Sequence, residues 1–155
     1  MAGGSEYMAY TTNIAMFLPP SGAASNQANQ AKQLLDAYRI LVAIELALKD
    51  AGFTGGHHIP EMLSKIPAKH PSLSFTKFQN DLRRDLTKIM CNDRDSKPPR
   101  RVKESSYPEI RYTRFSGDWG GVHETSFESI KSLFQTTHNL LSYLRQHKNV
   151  LGITI

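Results

Sequence analysis

The stretch that decides the fold is SNQANQAKQLLDAYRILVAIELALKDAG, residues 25–52. Ser25 is a good N-cap residue, because its hydroxyl can accept a hydrogen bond from a backbone N–H of the first helical turn. Gly52 can adopt the left-handed conformation that ends many helices. Apolar residues from Leu34 to Leu48 cover nearly the whole circumference between these ends, which predicts burial on several sides. We therefore expect one long helix, either central in a bundle or packed between subunits.

Three further helices are predicted downstream. The first begins at about His58 and closes at Pro67, since proline breaks the backbone hydrogen-bond pattern of a helix interior. The next, SFTKFQNDLRRDLTKIM at residues 74–90, begins at a Ser74 cap and has apolar residues at steps of three and four. The last runs from about residue 125 to residue 148. The first and last helices are the longest, and we expect them to pack against each other, because neither could bury its apolar face alone.

The remaining segments lack helical periodicity. Residues 92–106 contain two prolines and many charges, and they are predicted to form a solvated loop. Residues 107–119 show partial alternation of branched and aromatic side chains, which favours an extended segment or a short strand. Residues 149–155 form an apolar tail, which we interpret as an edge strand.

The length of 155 residues is that of one domain, and it suffices to bury a core without disulfides or metals. We expect a mainly all-α fold. Its helical domain covers residues 25–148 and is preceded by an N-terminal arm, residues 1–24, of which residues 1–7 are interpreted as an added leader. The short tail at residues 149–155 follows.

Composition and charge limit the classes of function. Cys91 is the single cysteine, so no internal disulfide can form, and we interpret it as a structural thiol at the end of the third helix. No stretch approaches the roughly 20 apolar residues that span a bilayer. No secretory signal is seen, so we expect no membrane association and a cytoplasmic location. The net charge of +5 is compatible with a polyanionic partner.

Three pieces of sequence together resemble the HEPN superfamily of small helical domains. AIELALKDAG at residues 43–52 is similar to a helix of the family that ends before glycine. GHHIPEMLSKI at residues 56–66 is similar to its Gly-x-His segment and the helix that follows. Residues 109–130, with EIRYTRF at their start, resemble the Arg-Tyr segment that leads into the last helix. The resemblance covers residues 25–148, and residues 88–106 are longer than in the shortest members.

The resemblance implies an up-down bundle of four to five helices, with a basic loop and a short extended segment before the last helix. Members that cleave RNA carry an Arg followed by a His after four to six residues. That spacing is absent here, because one residue separates Arg145 from His147 and eight separate Arg114 from His123. We therefore expect no ribonuclease activity of the usual kind.

The function that the resemblance implies is a non-catalytic module that binds RNA or a nucleotide, or that acts as the helical partner of a nucleotidyltransferase-like protein. Toxin–antitoxin and phage-defence systems are the setting that it suggests. HEPN domains typically pair, which implies a homodimer. Two alternatives stay open: a ribonuclease with a displaced Arg and His, and a structural dimer-forming subunit. Neither a metal nor a cofactor is expected.

The candidates for a displaced catalytic site are His57 or His58 with Arg83 or Arg84. Adjacent histidines at the start of a helix point in different directions, so they lack the i, i+4 arrangement of a zinc site. A structural interpretation is favoured, in which one histidine caps or packs at the helix start and the other is solvated.

Glu45 lies inside the apolar run of the first helix, with Lys49 one turn later. A buried carboxylate requires a partner, because unpaired burial is costly. We expect a structural ion pair with Arg39 or with an arginine from elsewhere. A catalytic role would require a second acid or base, which the sequence alone does not identify.

Basic residues concentrate between the third helix and the last one. Arginine binds phosphate through two parallel hydrogen bonds, and interleaved aromatic rings can stack on bases. Acidic residues in the same stretch also fit a solvated loop, so both interpretations stay open. The predicted phosphate-binding or nucleic-acid-binding residues are Arg94, Lys97, Arg100, Arg101, Lys103, Arg111 and Arg114.

Overall fold

The computed structural model of the chain describes residues 26–92, 99–115 and 124–155, and this part is mainly helical. Its α-helices are α1 (Asn26–Asp50), α2 (Ile59–Ser64), α3 (Ile66–Lys69), α4 (Thr76–Leu86), α5 (Phe127–Gln146) and α6 (Lys148–Leu151). A 3₁₀ helix, Tyr107–Tyr112, and two antiparallel strands, β1 (Met90–Cys91) and β2 (Arg100–Arg101), lie between α4 and α5. The arm predicted at residues 1–24 and the cap predicted at Ser25 lie outside the described residues.

The two longest helices, α1 and α5, pack against each other as the sequence predicted. Leu34, Leu41 and Ile44 of α1 are fully buried, and their spacing of seven and three residues places them on the same helical face. Gly52 follows the helix with a φ of +91°, a conformation that strains other residues. Burial on several sides was predicted, and within one chain it does not include Leu46, whose exposed fraction is 61%.

The chain from α2 to α4 departs from the predicted helix ends. Pro67 does not close a helix but lies in the first turn of α3, where the N–H that proline lacks is not needed. Helix α4 begins one residue later than expected, with Phe75 and not Ser74 at its N-cap. Phe75 is buried there against Tyr143, with the two ring centroids 5.2 Å apart. The region therefore has a further helical turn that the prolines concealed.

Residues 89–92 and 99–102 include two short antiparallel strands, where the sequence predicted a helix end and a solvated loop. Met90 pairs with Arg101 and Cys91 with Arg100, so Cys91 lies in a strand and is fully buried. Val102 is buried beside them, and its N–H donates to the carbonyl of Ile89 at 2.8 Å. Burial of this one branched residue holds part of the charged segment against the domain.

The next segment was predicted as extended and is instead a 3₁₀ helix at Tyr107–Tyr112. Such a helix has three residues per turn, so Tyr107, Ile110 and Thr113 fall on one side, and all three are buried. Extended pairing does occur just after it, where Thr113 bridges to Cys91 and Phe115 to Thr125. Residues 116–119 of the predicted segment lie outside the described residues.

The C-terminal region begins at Ser126, whose hydroxyl caps α5 by accepting a hydrogen bond from the N–H of Ser129 at 3.1 Å. The tail predicted as an edge strand contains the further helical turn α6, and Leu151 and Ile153 are buried against the core. Among the described helices, none combines the length and the apolar character that a bilayer span requires.

Candidate functional site

The carboxylate of Glu45 lies inside the domain, with 6% of the side chain exposed, and it accepts hydrogen bonds from three groups. Its Oε1 lies 3.0 Å from Nζ of Lys49 and 2.6 Å from Nδ1 of His57. Its Oε2 accepts a hydrogen bond from the hydroxyl of Tyr107. We call Glu45, His57 and Tyr107 the Glu–His–Tyr cluster. It joins three separate parts of the chain.

Each member of the cluster is placed by its own local structure. Glu45 follows Ile44 on the buried side of α1, and Lys49 lies one turn later on the same helix. His57 lies in the loop between α1 and α2, which passes so close to α2 that a Cβ on Gly55 would meet Cγ of Met62 at 2.8 Å. Tyr107 is the first residue of the 3₁₀ helix and is 2% exposed.

Hydrogen bonding and burial set the protonation states of Glu45 and Tyr107 at neutral pH. Burial alone would raise the pKa of Glu45, but hydrogen bonds from Tyr107, Lys49 and His57 outweigh it and leave the pKa below its ordinary value. The pKa of Tyr107 lies far above its usual range. Burial is the largest cause, and the hydrogen bond to the Glu45 carboxylate is the second. Glu45 is therefore an anion at neutral pH, and Tyr107 is a neutral phenol that donates to it.

His57 connects this buried network to solvent. Its side chain is 55% exposed, and the edge of its ring meets the ring of Tyr107 at 89°, with the centroids 5.9 Å apart. Because Nδ1 faces a carboxylate oxygen, it is the nitrogen that carries the hydrogen, so Nε2 of the neutral ring is an acceptor. A histidine oriented in this way by a carboxylate can take a proton from a substrate hydroxyl.

The prediction of a buried, paired Glu45 is confirmed, but its predicted arginine partner, Arg39, is wrong. The cations at its carboxylate are Lys49 and, when protonated, His57. Arg39 is exposed on α1. The second acid–base group at Glu45 is His57, which the sequence offered as a catalytic candidate beside an arginine and not beside Glu45.

The other catalytic candidates have structural roles. His58 caps α2, because its Nδ1 accepts a hydrogen bond from the N–H of Glu61 at 3.0 Å. Nε of Arg83 lies 2.7 Å from the carboxylate of Glu104. Arg84 contacts two carboxylates of its own helix, Asp81 and Asp85. In the described part of the chain, no hydrogen bond or ion pair joins either arginine to His57 or His58.

The basic residues of the segment at residues 99–115 differ in what they contact. Arg100 forms an ion pair with Glu109. Arg101 is exposed and reaches back to the carbonyl of Thr87 at 3.1 Å. Lys103 is exposed, while its backbone N–H donates to the carboxylate of Glu109 at 3.0 Å.

The last two basic residues, Arg111 and Arg114, lie on either side of Thr113, which forms a β-bridge with Cys91. Arg111 donates to the carbonyl of Pro108 at 3.2 Å and lies over the ring of Tyr112, with 5.3 Å from Cζ to the ring centroid. The backbone N–H of Arg114 donates to the carbonyl of Met90 at 2.8 Å. The predicted phosphate-binding residues Arg94 and Lys97 lie outside the described residues.

Within the ranges that the structure describes, no group of three or more His, Cys, Asp or Glu side chains could hold a metal ion. Comparison with protein-family models, with curated proteins and with solved structures gives no match for this chain.

Proposed function

We propose that the chain binds RNA, or another ligand with nucleotide phosphates, through the basic segment at residues 99–115. The observation that carries the proposal is that Arg101 and Lys103 are exposed on a segment that is fixed to the domain, with Arg101 also donating to the carbonyl of Thr87. The ion pair of Arg100 with Glu109 and the hydrogen bond from Tyr107 to Glu45 hold this segment on either side of Lys103.

Anchoring of this kind favours binding for an energetic reason. Cations on a fixed backbone lose less conformational freedom when they meet phosphate than cations on a freely moving chain. Arg100 contributes mainly to the anchor, because Glu109 already neutralises its charge. Arg83 is engaged similarly by Glu104. The exposed basic residues of this segment are Arg101 and Lys103, whereas Arg111 and Arg114 are only partly exposed.

The HEPN-like up-down bundle is proposed as the finer description of the fold. It is supported by the contact between the long helices α1 and α5 and by a basic segment that precedes the last long helix. On this proposal the domain binds RNA but lacks the Arg–His pair that is typical of the RNA-cleaving members of the HEPN superfamily. A nucleotidyltransferase-like partner in a toxin–antitoxin or phage-defence system rests on the resemblance alone.

The test is a double variant, Arg101→Ala with Lys103→Ala, measured by fluorescence anisotropy with single-stranded RNA at several salt concentrations. Each phosphate contact that is lost should reduce the slope of log K against log salt by about 0.7, so the double variant should lose about 1.4. Binding should weaken at every sequence tested, because phosphate contacts do not distinguish bases.

A matched control removes two positive charges elsewhere. Lys77 on α4 and Lys131 on α5 are both exposed, so replacing both with Ala changes the net charge equally. The proposal expects this control to keep most of the affinity and of the salt slope. Equal loss in both double variants would mean that only the net charge matters, and a wild type without salt-dependent binding would contradict the proposed function.

A further inference from the structure

We propose that His57 accepts a phosphoryl group on Nε2, with Glu45 as the positioning residue that holds Nδ1. The donor class that fits the site is a phosphoramidate, in which the phosphoryl group is bonded to nitrogen, because its transfer to Nε2 requires no proton transfer. A phosphohistidine on another protein is a donor of this class. The inference requires no RNA, so it is independent of the proposed function.

A nucleophilic histidine requires a lone pair on an accessible ring nitrogen, and the geometry of His57 supplies one. Nδ1 lies 2.6 Å from Oε1 of Glu45, while 55% of the side chain is exposed. Because a carboxylate accepts the hydrogen bond, Nδ1 carries the hydrogen of the neutral ring and the lone pair lies on Nε2. Histidine with a lone pair of this kind is one of the side chains that form covalent intermediates.

The adjacent histidine, His58, has the opposite tautomer. Its Nδ1 accepts a hydrogen bond from the N–H of Glu61 at 3.0 Å, so the hydrogen of its neutral ring lies on Nε2. Neither nitrogen of His58 then has a lone pair free to attack phosphorus. Two neighbouring histidines therefore differ in nucleophilicity because their Nδ1 atoms have different partners, a carboxylate at one and a backbone N–H at the other.

The remaining histidines of the described ranges lack a carboxylate at the ring. Within residues 26–92, 99–115 and 124–155, no hydrogen bond or ion pair joins a carboxylate to His70, His138 or His147. His138 is exposed on α5, with its ring centroid 4.3 Å from that of Phe134. It is an accessible imidazole without a carboxylate, and it serves as the reference for His57 within the same chain.

The approach to His57 is open. A Cβ built on Gly56, the residue before it, would meet no atom of the described residues within 4 Å apart from its chain neighbours. The Tyr107 ring packs against the ring of His57 edge-on, at 89° with the centroids 5.9 Å apart. Tyr107 and Glu45 therefore fix the orientation of the imidazole from the protein side, and a small donor can reach it from solvent.

Glu45 stabilises the product of the transfer. Once Nε2 is bonded to phosphorus and Nδ1 keeps its hydrogen, the ring carries a positive charge. The carboxylate lies directly at Nδ1, so the hydrogen bond between them becomes one between two charged groups and is stronger than in the neutral ring. With 6% of its side chain exposed, Glu45 is little screened by water.

Lys49 prevents Glu45 from repelling an anionic donor. Its Nζ lies 3.0 Å from the same carboxylate oxygen that holds His57, and 38% of its side chain is exposed. The two charges cancel at the distance from which a donor approaches. The ammonium also lies beside the imidazole, where it can attract the two negative charges of the bound phosphoryl group.

The transfer step balances without an oxidant, a reductant or a base. The lone pair of Nε2 forms the new bond to phosphorus, while the phosphorus–nitrogen bond of the donor breaks. The donor nitrogen leaves with the electron pair of that bond, as ammonia when the donor is phosphoramidate itself. Nδ1 keeps its hydrogen throughout, and the positive charge that the donor nitrogen loses is gained by the ring.

The experiment incubates the full chain with potassium phosphoramidate and identifies the phosphorylated residues by mass spectrometry of fragments kept at alkaline pH, because acid hydrolyses phosphohistidine. We expect His57 to be phosphorylated at least about ten times faster than His138, the factor that a charge-assisted hydrogen bond to the product ring supplies. Phosphorus NMR of protein labelled with nitrogen-15 should place the new bond at Nε2. Equal rates at His57 and His138, or a bond at Nδ1, would overturn the proposal.

The matched variants are His57→Asn and His58→Asn. His57→Asn should lose the fast phosphorylation, whereas His58→Asn should keep it, since asparagine is a good N-cap and retains the start of α2. Fast phosphorylation that survives in His57→Asn, or that is lost in His58→Asn while circular dichroism shows intact helices, would contradict the assignment. The comparison of His57 with His138 uses the wild type alone, so it decides the matter even if a variant does not fold.

The positioning role of Glu45 has its own readout. Glu45→Gln should lower the rate at His57 toward that of His138 and leave the rate at His138 unchanged. Nitrogen-15 NMR of the neutral imidazole should show the hydrogen of His57 on Nδ1 in the wild type, with a shift toward the Nε2–H tautomer in Glu45→Gln. A wild-type His57 with its hydrogen on Nε2 would overturn the proposal, since Nε2 would then have no lone pair for phosphorus.

Discussion

Glu45 has the strongest energetic demands of any residue in the cluster, because it holds a negative charge where water has little access. Three donors meet its two oxygens, and two of them lie far along the chain, at His57 and Tyr107. Removing the charge would leave a buried phenol hydroxyl with a weaker acceptor and Lys49 without its anion. The same carboxylate therefore stabilises the fold and fixes the orientation of the His57 ring.

The first prediction concerns Glu45→Gln and its dependence on pH. A charge-assisted network of this kind contributes about 1–3 kcal/mol, so the free energy of unfolding should fall by that amount at pH 7. The folded pKa of Glu45 lies below its ordinary value of 4.5, so the contribution is complete at pH values well above 4.5. It shrinks as the pH falls below that value and is lost once the pH drops through the folded pKa.

Urea unfolding of the wild type and of Glu45→Gln at pH 7, 5, 4 and 3 measures this difference. The two curves should converge toward acid pH, because a protonated Glu45 no longer differs in charge from glutamine. Glu61→Gln, which removes an exposed carboxylate on α2, is the control and should change stability little at any pH. A constant gap between wild type and Glu45→Gln from pH 7 to pH 3 would contradict the ionised state assigned to Glu45.

At the scale of elements, α4 and α5 are joined by a buried carboxylate as well as by apolar packing. Asp85 is fully buried on α4 and accepts hydrogen bonds from Ser132 at 2.9 Å and Thr136 at 2.5 Å, both on α5. Arg84 donates to its two oxygens from the solvent side, at 3.0 and 3.2 Å. This polar contact fixes the register of the two helices, since a shift of either by one residue would separate the partners.

The second prediction is that Asp85→Ala lowers the free energy of unfolding by about 3 kcal/mol, since it leaves buried hydroxyls without their acceptor. Asp81→Ala is the matched control on the same helix. Asp81 also contacts Arg84, but its other partner, Lys77, is 77% exposed, so the expected loss is below about 1 kcal/mol. Equal losses in the two variants, measured by urea unfolding, would show that burial of Asp85 does not matter.

Elements were predictable from sequence where an apolar period extends over several turns. Leu34, Leu41 and Leu48 set such a period in α1, and the helices α4 and α5 show it as well. The 3₁₀ helix was predicted as extended because Ile110 and Tyr112 alternate with polar residues, whereas three residues per turn place Tyr107 and Ile110 together. Too few residues form that helix for a period to be distinguished from alternation.

The candidate site was predictable only in part, for a different physical reason. Burial of Glu45 follows from its position in the apolar run, and a need for partners follows from its charge. The partners themselves lie 12 and 62 residues away in sequence, and no local pattern relates such distant positions. Lys49, one turn away on the same helix, was the only partner of Glu45 that helical spacing could identify.

For the whole molecule, the surface of α1 on which a second copy could pack is the feature that bears on assembly. Most apolar residues of α1 are covered within one chain, but Leu46 is 61% exposed, and Leu35 and Val42 on the same side are only partly buried. These three residues recur at steps of seven and four, which places them in one stripe along the helix. The homodimer that the resemblance implies would have this stripe as its contact.

The last prediction is that Leu46→Asp gives a monomer in light scattering where the wild type is a dimer, because a carboxylate in an apolar contact would lose its water without gaining a partner. Val150→Asp is the matched control, since Val150 on α6 is 62% exposed and lies outside the stripe. It should leave the dimer intact. The N-terminal arm, with Met16, Phe17 and Leu18, is the competing cover for α1. A wild type that is monomeric, and that associates only after removal of residues 1–20, would show that the arm and not a second copy covers the stripe.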